Sequence, residues 1–534
     1  MLRNQKIDII LLILYHTEEN SLNQQQEKRT TLEKTLNPAN IWAIALGSII
    51  GWGAFIQAPN WMVKAGGPLP LVIGFIIGGL MMIVVGRSYA YMISKYPVSG
   101  GEFAYAYAGF GEKASFICGW MLSIGYFGIV ALNATAVPVL FSIITPGLLQ
   151  FGHLWTIAGW PVYFGEVVVS LILIWIMGFV NYRGVKSTGN LQLALCALLC
   201  AAVLFIVCGI GITGNFSLQN LTPAANQSGI PFWKGVLLII ALAPFLYVGF
   251  DCIPQAAEEF NFPHSKTFLL ICSAIATGAL IYIGLAIMPA AVIPWQDMVN
   301  LQNAAGGPES WRTGAIIKQA LGTSGTVFVV IAVLAGMFTG INGFYLSSSR
   351  LLFGMARARM MPKWFSYVHP KYKTPSHNIV FVMLICSIAP FFGREVLNWV
   401  VDMAAVGTGV GYFFTCASAF VIVSKDLVTK SPDDISPFVA GTGAAISLAI
   451  ISLMVVPGMP AFLSIPCWCA FGVWIVIGVI CYTLGMQRFR QTTSGMSRYL
   501  ILGDPSQLSQ IEQQNITAVN EEISLIEHTL TKKR

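Results

Sequence analysis

The chain has 534 residues, of which 56% are hydrophobic and only 10% are charged, and its mean hydropathy is +0.71. These values exclude a water-soluble domain of this length. A helix needs about 20 apolar residues to cross roughly 30 Å of hydrocarbon, and the sequence contains twelve such stretches. We therefore predict an all-α, polytopic membrane protein with about 12 transmembrane helices in the lipid bilayer. The predicted spans, numbered one to twelve, are 39–58, 68–93, 114–145, 163–181, 189–213, 234–256, 265–293, 323–350, 378–393, 397–424, 436–456 and 462–484.

The positions of the basic residues explain the net charge of +7. If the N-terminus is cytoplasmic, 24 of the 30 Lys and Arg residues lie in the tails and inner loops, and five lie in outer loops. This bias follows the positive-inside rule. We predict that both termini are cytoplasmic, and we expect no nucleic-acid partner.

The eleven cysteines and six histidines do not suggest a metal site. The cysteines lie almost entirely within the spans and form no CxxC motif, which is typical of small buried hydrophobic residues. The histidines lie in tails, loops or span edges without helical pairing. We expect neither a metal nor a cofactor.

Span one has glycines at its centre. Its sequence, NIWAIALGSIIGWGAFIQAPNW, places Gly47, Gly51 and Gly53 at mid-membrane and Pro59 past its end. Small residues at this spacing often serve close helix packing. They also suit a broken helix whose freed amide groups face a cavity. We favour the broken helix because span six, the corresponding member of the second half, is interrupted too.

Residues 94–113, between spans two and three, are rich in Pro, Gly and aromatic side chains. Aromatic residues favour the membrane interface. We predict an interfacial or re-entrant helix on the cytoplasmic side.

Span six carries Pro244, Gly249, Asp251 and Pro254 near its middle. Each proline removes a backbone donor and obstructs the preceding turn, so the helix should break. Broken backbone at membrane depth persists only where protein or a water-filled cavity satisfies it, and a carboxylate there should face the bundle interior. Interrupted helices in matching positions of two halves indicate a binding site near the midplane of a transporter.

Five motifs resemble those of amino acid permeases of the amino acid–polyamine–organocation superfamily, and they occur in the family's order. They are GSIIGWGAF (47–55), PVSGGEFAYAYAGFG (97–111), NYRGVKSTG (181–189), GFDCIPQAAEEFNFP (249–263) and the segment 342–364 with its SSSRLLFGMAR core. The resemblance implies a 5+5 inverted repeat with discontinuous helices one and six and two accessory helices. The implied divisions are a cytoplasmic N-terminal tail (1–38), the first repeat (39–213), the second repeat (234–424), the accessory spans (436–484) and a cytoplasmic C-terminal tail (485–534).

The resemblance also implies a substrate site where spans one and six unwind. The Gly-rich turn of span one would receive the substrate carboxylate, and Phe245 would cover the site. Many relatives have Ser or Thr between the two glycines, whereas this chain has Trp52, which could narrow the pocket, stack on a substrate or point into the bundle. The expected substrate-binding residues are Gly47, Ser48, Ile49, Gly51, Trp52, Gly53, Phe245, Tyr247, Val248, Gly249 and Phe250.

Asp251 has three interpretations. It could carry the proton that couples transport to a gradient, contact the substrate amine, or hydrogen-bond the break itself. We favour coupling, with H+ rather than Na+ as the coupling ion. Some relatives use a span-five lysine in place of sodium, but Leu199 stands at that position. Thr339 and Asn342 could supply oxygen ligands for an ion, although hydrogen bonds within the bundle are the simpler expectation.

Two acids follow span six directly. Glu258 and Glu259 could form a cytoplasmic gate by ion pairing with Lys95 or Arg350. They could equally be solvated acids at a helix end.

The function that these features favour is secondary active transport of amino acids by alternating access, proton-coupled or by exchange. The alternatives are an amine or polyamine permease on the same fold and a non-transporting amino-acid sensor. A channel would need filter carbonyls or charge rings, an enzyme would need clustered catalytic groups, and an ATP-driven pump would need GxxxxGK[ST]. We expect a monomer or homodimer in a plasma membrane, and the compact loops suit a bacterial inner membrane.

Overall fold

Helices account for most of the chain that the structure describes. The structure is a computed structural model, and it describes residues 29–226, 229–297, 312–425, 434–459, 461–514 and 516–517. Within these ranges, nine helices are long and apolar enough to cross a membrane, and two shorter apolar helices lie at predicted spans one and nine. With the interrupted span six, they account for the twelve predicted spans. The all-α, polytopic architecture is confirmed.

The uninterrupted spans coincide closely with the predictions. Span eight extends beyond its predicted ends, and its helix bends at Gly322, whose φ of +64° is one that glycine adopts readily. These spans are Pro68–Lys95 (two), Glu112–Ile144 (three), Phe164–Tyr182 (four), Val185–Thr213 (five), Thr267–Val292 (seven), Arg312–Arg357 (eight), Ser376–Cys386 (nine), Gly393–Lys425 (ten), Pro437–Val455 (eleven) and Ile465–Phe489 (twelve).

Spans one and six are discontinuous, as predicted. Span one consists of the helices Pro38–Ile49, Gly53–Ile56 and Ala58–Ala65. Asn37 caps the first of these helices with a capping box. Its side chain accepts from the Asn40 backbone amide, and the Asn40 side chain accepts from the Asn37 backbone amide. Span six consists of Phe232–Ile240, Ala243–Leu246 and Cys252–Gln255, with residues 247–251 unwound before the last of these.

The packing of the spans repeats when each span is exchanged with the one five positions later. Span three packs on span ten, and span five packs on span eight. In the same way, the contact of spans two and six matches that of spans seven and one, and the contact of spans three and four matches that of spans eight and nine. Five crossings are an odd number, so the second set of five enters the membrane in the opposite direction to the first. The result is a 5+5 inverted repeat.

Several elements lie outside these ten spans. Span eleven packs on spans two and ten, and Trp474 of span twelve stacks on Trp120 of span three at 4.5 Å between ring centres. Residues 94–113 contain the helix Gly101–Phe110, as expected for this loop. Strands His153–Ile157 and Trp160–Tyr163 form an antiparallel hairpin that the sequence analysis did not predict.

The described parts of both tails are ordered against the bundle. The chain forms a helix at Ser494–Leu502, in which Leu500, Ile501 and Leu502 are buried. Residue Leu36 forms a parallel bridge with Phe260. The predicted tails 1–38 and 485–534 otherwise lie partly outside the described residues.

Candidate functional site

The breaks of spans one and six are in direct contact. Gly249 adopts a φ of +133°, and a methyl group on its Cα would stand 2.5 Å from the backbone nitrogen of Ile49 and from the carbonyl carbon of Ser48. Only glycine combines this backbone conformation with so close an approach. The two interrupted spans therefore meet backbone to backbone at one place in the bundle.

Tyr282 of span seven holds the two breaks together. Its hydroxyl oxygen lies 2.8 Å from the carbonyl oxygen of Ile49 and 2.9 Å from that of Leu246, so its one hydrogen is shared between the two acceptors. These carbonyls lie where the two helices end, so they have lost their helical partners. A buried backbone carbonyl without a hydrogen-bond partner is costly. The Tyr282 hydroxyl is the hydrogen-bond partner of both carbonyls. The sequence analysis missed Tyr282, although a single tyrosine in an apolar span implies a partner for its hydroxyl.

Span eight closes the site from the other side. Gly336 faces the Ile50 carbonyl, and a methyl group there would stand 3.1 Å from that oxygen. Gly343 faces the Ser48 side chain, whose hydroxyl is buried. Small residues on span eight thus let the break of span one approach it closely.

The predicted residues of span one lie at or beside this contact. Gly47 packs against Gln192 and Thr339. Ser48 and Ile49 are buried, and Trp52 is 9% exposed and belongs to the main hydrophobic core. A methyl group at Gly53 would meet no atom within 4 Å, so there is open space beside this residue.

The predicted residues of span six differ in their surroundings. Tyr247 is buried and donates to the Phe75 carbonyl at 2.9 Å. The Phe250 ring packs edge-on against Tyr89 at 5.3 Å and stacks with Tyr412 at 5.4 Å. Val248 is buried as well, whereas Phe245 is 42% exposed.

Asp251 is fully buried and is bonded through one of its two carboxyl oxygens. Its Oδ1 accepts the Gly249 amide at 2.6 Å, and its backbone carbonyl accepts the Tyr126 hydroxyl at 3.1 Å. Its Oδ2 has no hydrogen-bond partner in the part of the chain that the structure describes. One oxygen therefore stabilises the break, and the other is left for a proton or a ligand.

Thr339 and Asn342 take part in hydrogen bonds within the bundle. The Thr339 hydroxyl donates to the Ala335 carbonyl of its own helix at 2.9 Å. Asn342 donates to Gln192 Oε1 and accepts from Asn181, each at 2.8 Å.

Gln192 of span five connects this network to span one. Its amide nitrogen lies 3.2 Å from the carbonyl oxygens of both Ala43 and Thr339. A neutral amide donor therefore lies between spans one and eight. The sequence analysis did not single out Gln192.

At the C-terminal end of span six, both glutamates are buried in ion pairs. Glu259 binds Arg350 at 3.1 Å, and Glu258 binds Arg357 at 2.8 Å. Arg29 of the N-terminal segment lies 3.6 Å from Glu258. We call these five residues the cytoplasmic cover, after the orientation that the sequence predicts.

The N-terminal segment adds backbone contacts to the cytoplasmic cover. The Thr35 and Leu36 amides both donate to the Glu259 carbonyl at 3.0 Å, and Arg357 donates to the Thr30 carbonyl at 3.0 Å. Burial opposes ionisation of Glu258, but Arg357 and Arg29 outweigh this effect and hold its pKa below the usual value. Both glutamates are thus buried in ion pairs and are not solvated acids, although for Glu259 burial outweighs Arg350 and raises its pKa.

The sequence of this chain matches a family whose description is amino acid permease, over residues 36–481. The match includes both interrupted spans and the residues of the site from Leu36 onwards, and Arg29 of the cytoplasmic cover lies before it. The chain belongs to the amino acid permease family. This permease is accordingly a multi-pass membrane transporter of the amino acid–polyamine–organocation type.

Three relatives illustrate the range of proteins that the permease is similar to. A methylthioribose transporter of Bacillus subtilis (strain 168) is 27% identical over 470 residues, covering 86% of this chain and 95% of the relative. The branched-chain amino acid permease BcaP of the same bacterium is 24% identical over 465 residues, covering 85% and 93%. The chloroplastic cationic amino acid transporter 7 of Arabidopsis thaliana is 26% identical over 400 residues, covering 73% and 65%.

Proposed function

We propose that this permease is a secondary active transporter that moves amino acids by alternating access, with a proton as the coupling ion. The observation that carries the proposal is the contact between Gly249 and the Ser48–Ile49 backbone. Two interrupted helices that meet inside a bundle create a polar site where the surrounding medium is apolar.

The unwound backbone offers complementary groups to a zwitterion. The break of span one is followed by the short helix Gly53–Ile56, in which the Ala54 and Phe55 amides donate to the carbonyls of Gly51 and Trp52, so the Gly53 amide is the donor that we assign to a carboxylate. The carbonyls of Ile49 and Leu246 are already bonded to Tyr282. Recognition of the ammonium group therefore falls to the rest of the unwound segment, residues 247–250.

The substrate is an amino acid, with an amine or polyamine as the second candidate. The free oxygen of Asp251 supports the second candidate, because a buried carboxylate without a cation could pair with an additional amine. The names of the relatives include branched-chain and cationic amino acids and methylthioribose. These three chemistries define the first compounds to test.

The cytoplasmic cover is the gate on the inner side. Its two buried ion pairs join span six to span eight and to the N-terminal segment, so they must separate before a substrate can leave inwards. We place both termini in the cytoplasm of a bacterial cell by the positive-inside bias. The permease acts as a monomer or homodimer, with the repeats at 39–213 and 234–424 rocking against each other.

Coupling by Asp251 is tested with the purified full-length protein in liposomes. Labelled leucine, arginine and methylthioribose serve as probes, with and without an inward proton gradient. We expect saturable, gradient-driven accumulation of at least one probe and exchange in counterflow. A flux that does not saturate would indicate a channel, and binding without transport would indicate a sensor.

The matching variant is Asp251→Asn. It should abolish gradient-driven accumulation while exchange of the loaded carrier continues, because a neutral amide imitates the protonated acid. A variant whose accumulation responds to the gradient as the wild type does would rule out coupling through Asp251.

A further inference from the structure

A second buried acid lies in the helix Gly101–Phe110, between spans two and three. Glu102 is 0% exposed. Gly411 of span ten lies against its side chain, since a methyl group at Gly411 would stand 3.8 Å from Glu102 Cγ. Its helix also packs against spans three and eight and against the helix Cys252–Gln255 of span six. A residue in a cytoplasmic loop is thus enclosed by the bundle.

Glu102 is bonded through only one of its carboxyl oxygens. Its Oε2 accepts the side-chain amide of Gln255 at 2.5 Å. Its Oε1 has no partner among the described residues, and this is also true of Asp251 Oδ2 on the same span-six segment as Gln255. Two fully buried carboxyl groups therefore each present one oxygen that the protein does not bond.

Tyrosine side chains lie near the acids, since Tyr126 donates its hydroxyl to the Asp251 carbonyl at 3.1 Å and the Tyr89 and Tyr412 rings both contact the neighbouring Phe250 ring. Tyr89 of span two interacts electrostatically with both Glu102 and Asp251, and Tyr412 of span ten does the same. The hydroxyls of Tyr89, Tyr105 and Tyr412 are buried without a hydrogen-bond partner in the part of the chain that is described. Buried polar groups are normally bonded, so a group of unbonded ones marks a place that carries something besides the protein.

No basic side chain in the described ranges forms an ion pair with Glu102 or Asp251. Three arginines on the elements that pack against the Glu102 helix have other partners: Arg350 binds Glu259, Arg357 binds Glu258, and Arg498 binds Asp504. Seven titratable groups interact electrostatically with Glu102, and each is an acid, a thiol or a phenol. They are Tyr89 from span two, Cys118 and Tyr126 from span three, Asp251 and Cys252 from span six, Tyr412 from span ten, and Tyr105 from its own helix.

The charge balance requires protons at this place. Two ionised carboxylates, buried close enough to interact and without a cation, would repel each other at low dielectric. Burial and then the nearby Asp251 raise the pKa of Glu102 well above its usual value. Enclosure therefore favours the neutral form of Glu102, so an ionised Glu102 that becomes enclosed again takes up a proton.

We propose that Glu102 is a second proton-carrying group of this permease, which takes the coupled proton from Asp251 and releases it to the cytoplasm. The inference rests on proton coupling as proposed above. In the transfer, the O–H bond on Asp251 breaks and an O–H bond forms on an ionised Glu102, and the buried tyrosine hydroxyls, that of Tyr89 among them, pass the proton on once they turn towards the acids. The step leaves Asp251 ionised, Tyr89 unchanged and Glu102 neutral, and it needs no other reactant.

The connection between Glu102 and the cytoplasmic cover gives the direction of release. Ser99, three residues before Glu102, donates its amide to Glu258 at 2.9 Å and accepts from Arg357 at 3.3 Å. Gly100 and Gly101, with φ of +96° and +36°, link Ser99 to Glu102. Separation of Glu258 from Arg357 removes both bonds to Ser99. The opening of the gate thus frees the loop that encloses Glu102, and water can then take its proton.

The test compares Glu102→Gln with the wild type in the same liposomes, using labelled leucine, arginine and methylthioribose. A fixed amide imitates a permanently protonated acid, so gradient-driven accumulation should fall about tenfold or more while counterflow slows by no more than about threefold. Glu102→Asp retains an acid and should keep gradient-driven accumulation with a shifted pH profile. Glu112→Gln, at the start of span three, is the matched control, and it should behave as the wild type.

The outcomes separate the two proposals. If the wild type accumulates a probe with the gradient and Glu102→Gln does so equally, the relay is wrong and coupling by Asp251 stands. If gradient-driven accumulation and counterflow fall by the same factor in Glu102→Gln and in Glu102→Asp, Glu102 has only a structural role. If the wild type ignores the gradient, proton coupling and the relay are both overturned.

Discussion

Two regions of this permease contain buried acids, and within the described part of the chain the acids have basic partners in one region but not in the other. In the cytoplasmic cover, Glu258 and Glu259 are each bonded to an arginine at 3.1 Å or less. In the interior beside the breaks, Asp251 and Glu102 have no basic partner among the described residues and keep one oxygen unbonded each. Paired acids act as fixed charges that hold elements together. Burial of an acid without a cation favours its neutral form, and this is why we propose these two acids for coupling.

The two regions also differ in what holds them together. The cytoplasmic cover depends on charge pairs between side chains that come from distant parts of the sequence. The breaks depend on the absence of a side chain at Gly249 and on one hydroxyl, that of Tyr282. Disruption of a charge pair should therefore affect the first region most, and small steric changes should affect the second.

The largest expected effect comes from breaking the Glu259–Arg350 pair. Glu259→Gln leaves a fully buried arginine without its counter-charge, which should lower the free energy of unfolding by about 3–5 kcal/mol. The measurement is thermal unfolding in detergent. The double replacement Glu259→Leu with Arg350→Met should recover much of the loss. A single variant as stable as the wild type would show that the cover is not held by this pair.

Gly249→Ala should have the next largest effect. The left-handed backbone and the contact with Ile49 leave no room for a methyl group, so we expect a loss of about 2–4 kcal/mol together with loss of transport. The matched control is Gly472→Ala in span twelve, where a methyl group meets no atom within 4 Å. Equal stability of the two variants would mean that the breaks do not touch as described.

Tyr282→Phe should cost less, about 1–3 kcal/mol, since it removes the donor from two buried carbonyls without a steric change. Tyr247→Phe removes a donor from one carbonyl, that of Phe75, and should cost about half as much. Thermal unfolding compares the two. A smaller loss in Tyr282→Phe than in Tyr247→Phe would argue against its bridging role.

The smallest effects concern pH, and they should have opposite signs for Glu258 and Glu102. The folded pKa of Glu258 is lowered, so its stabilising effect is present above the unfolded value of about 4.3 and is lost as the pH falls through the folded pKa. The folded pKa of Glu102 is raised, so its effect is present below about 4.3 and is lost as the pH rises towards the folded pKa. The measurement is the difference in unfolding midpoint between the wild type and each variant, Glu258→Gln and Glu102→Gln, as a function of pH. The two differences should change in opposite directions. Parallel changes would remove the distinction between paired and unpaired acids.

The sequence predicts the architecture well because hydrophobicity and length determine membrane spans. The prolines and glycines of spans one and six also predict their breaks, since they act locally on the helix. The partners of the site were not predictable in this way. Tyr282 is one apolar-looking residue in span seven, and its importance arises from two carbonyls that lie 233 and 36 residues away in sequence.

Pairing choices in the cytoplasmic cover show the same limit. Arg350 was named as a partner, but Arg357 and Arg29 were not, because helix phase and tail position decide which arginine reaches which glutamate. Glu102 was overlooked because a loop position suggests solvent, whereas the bundle encloses it. The roles of the individual site residues remain predictions that the experiments above address.

The most direct test of a shared substrate site is an experimental structure of the permease with a bound probe. The probe is whichever of leucine, arginine or methylthioribose raises the unfolding midpoint most, since a ligand that binds the folded state stabilises it. The account predicts density for the ligand between the amides around Gly53 and the unwound residues 247–250. A ligand bound elsewhere, or continuous helical hydrogen bonding through either break, would contradict it.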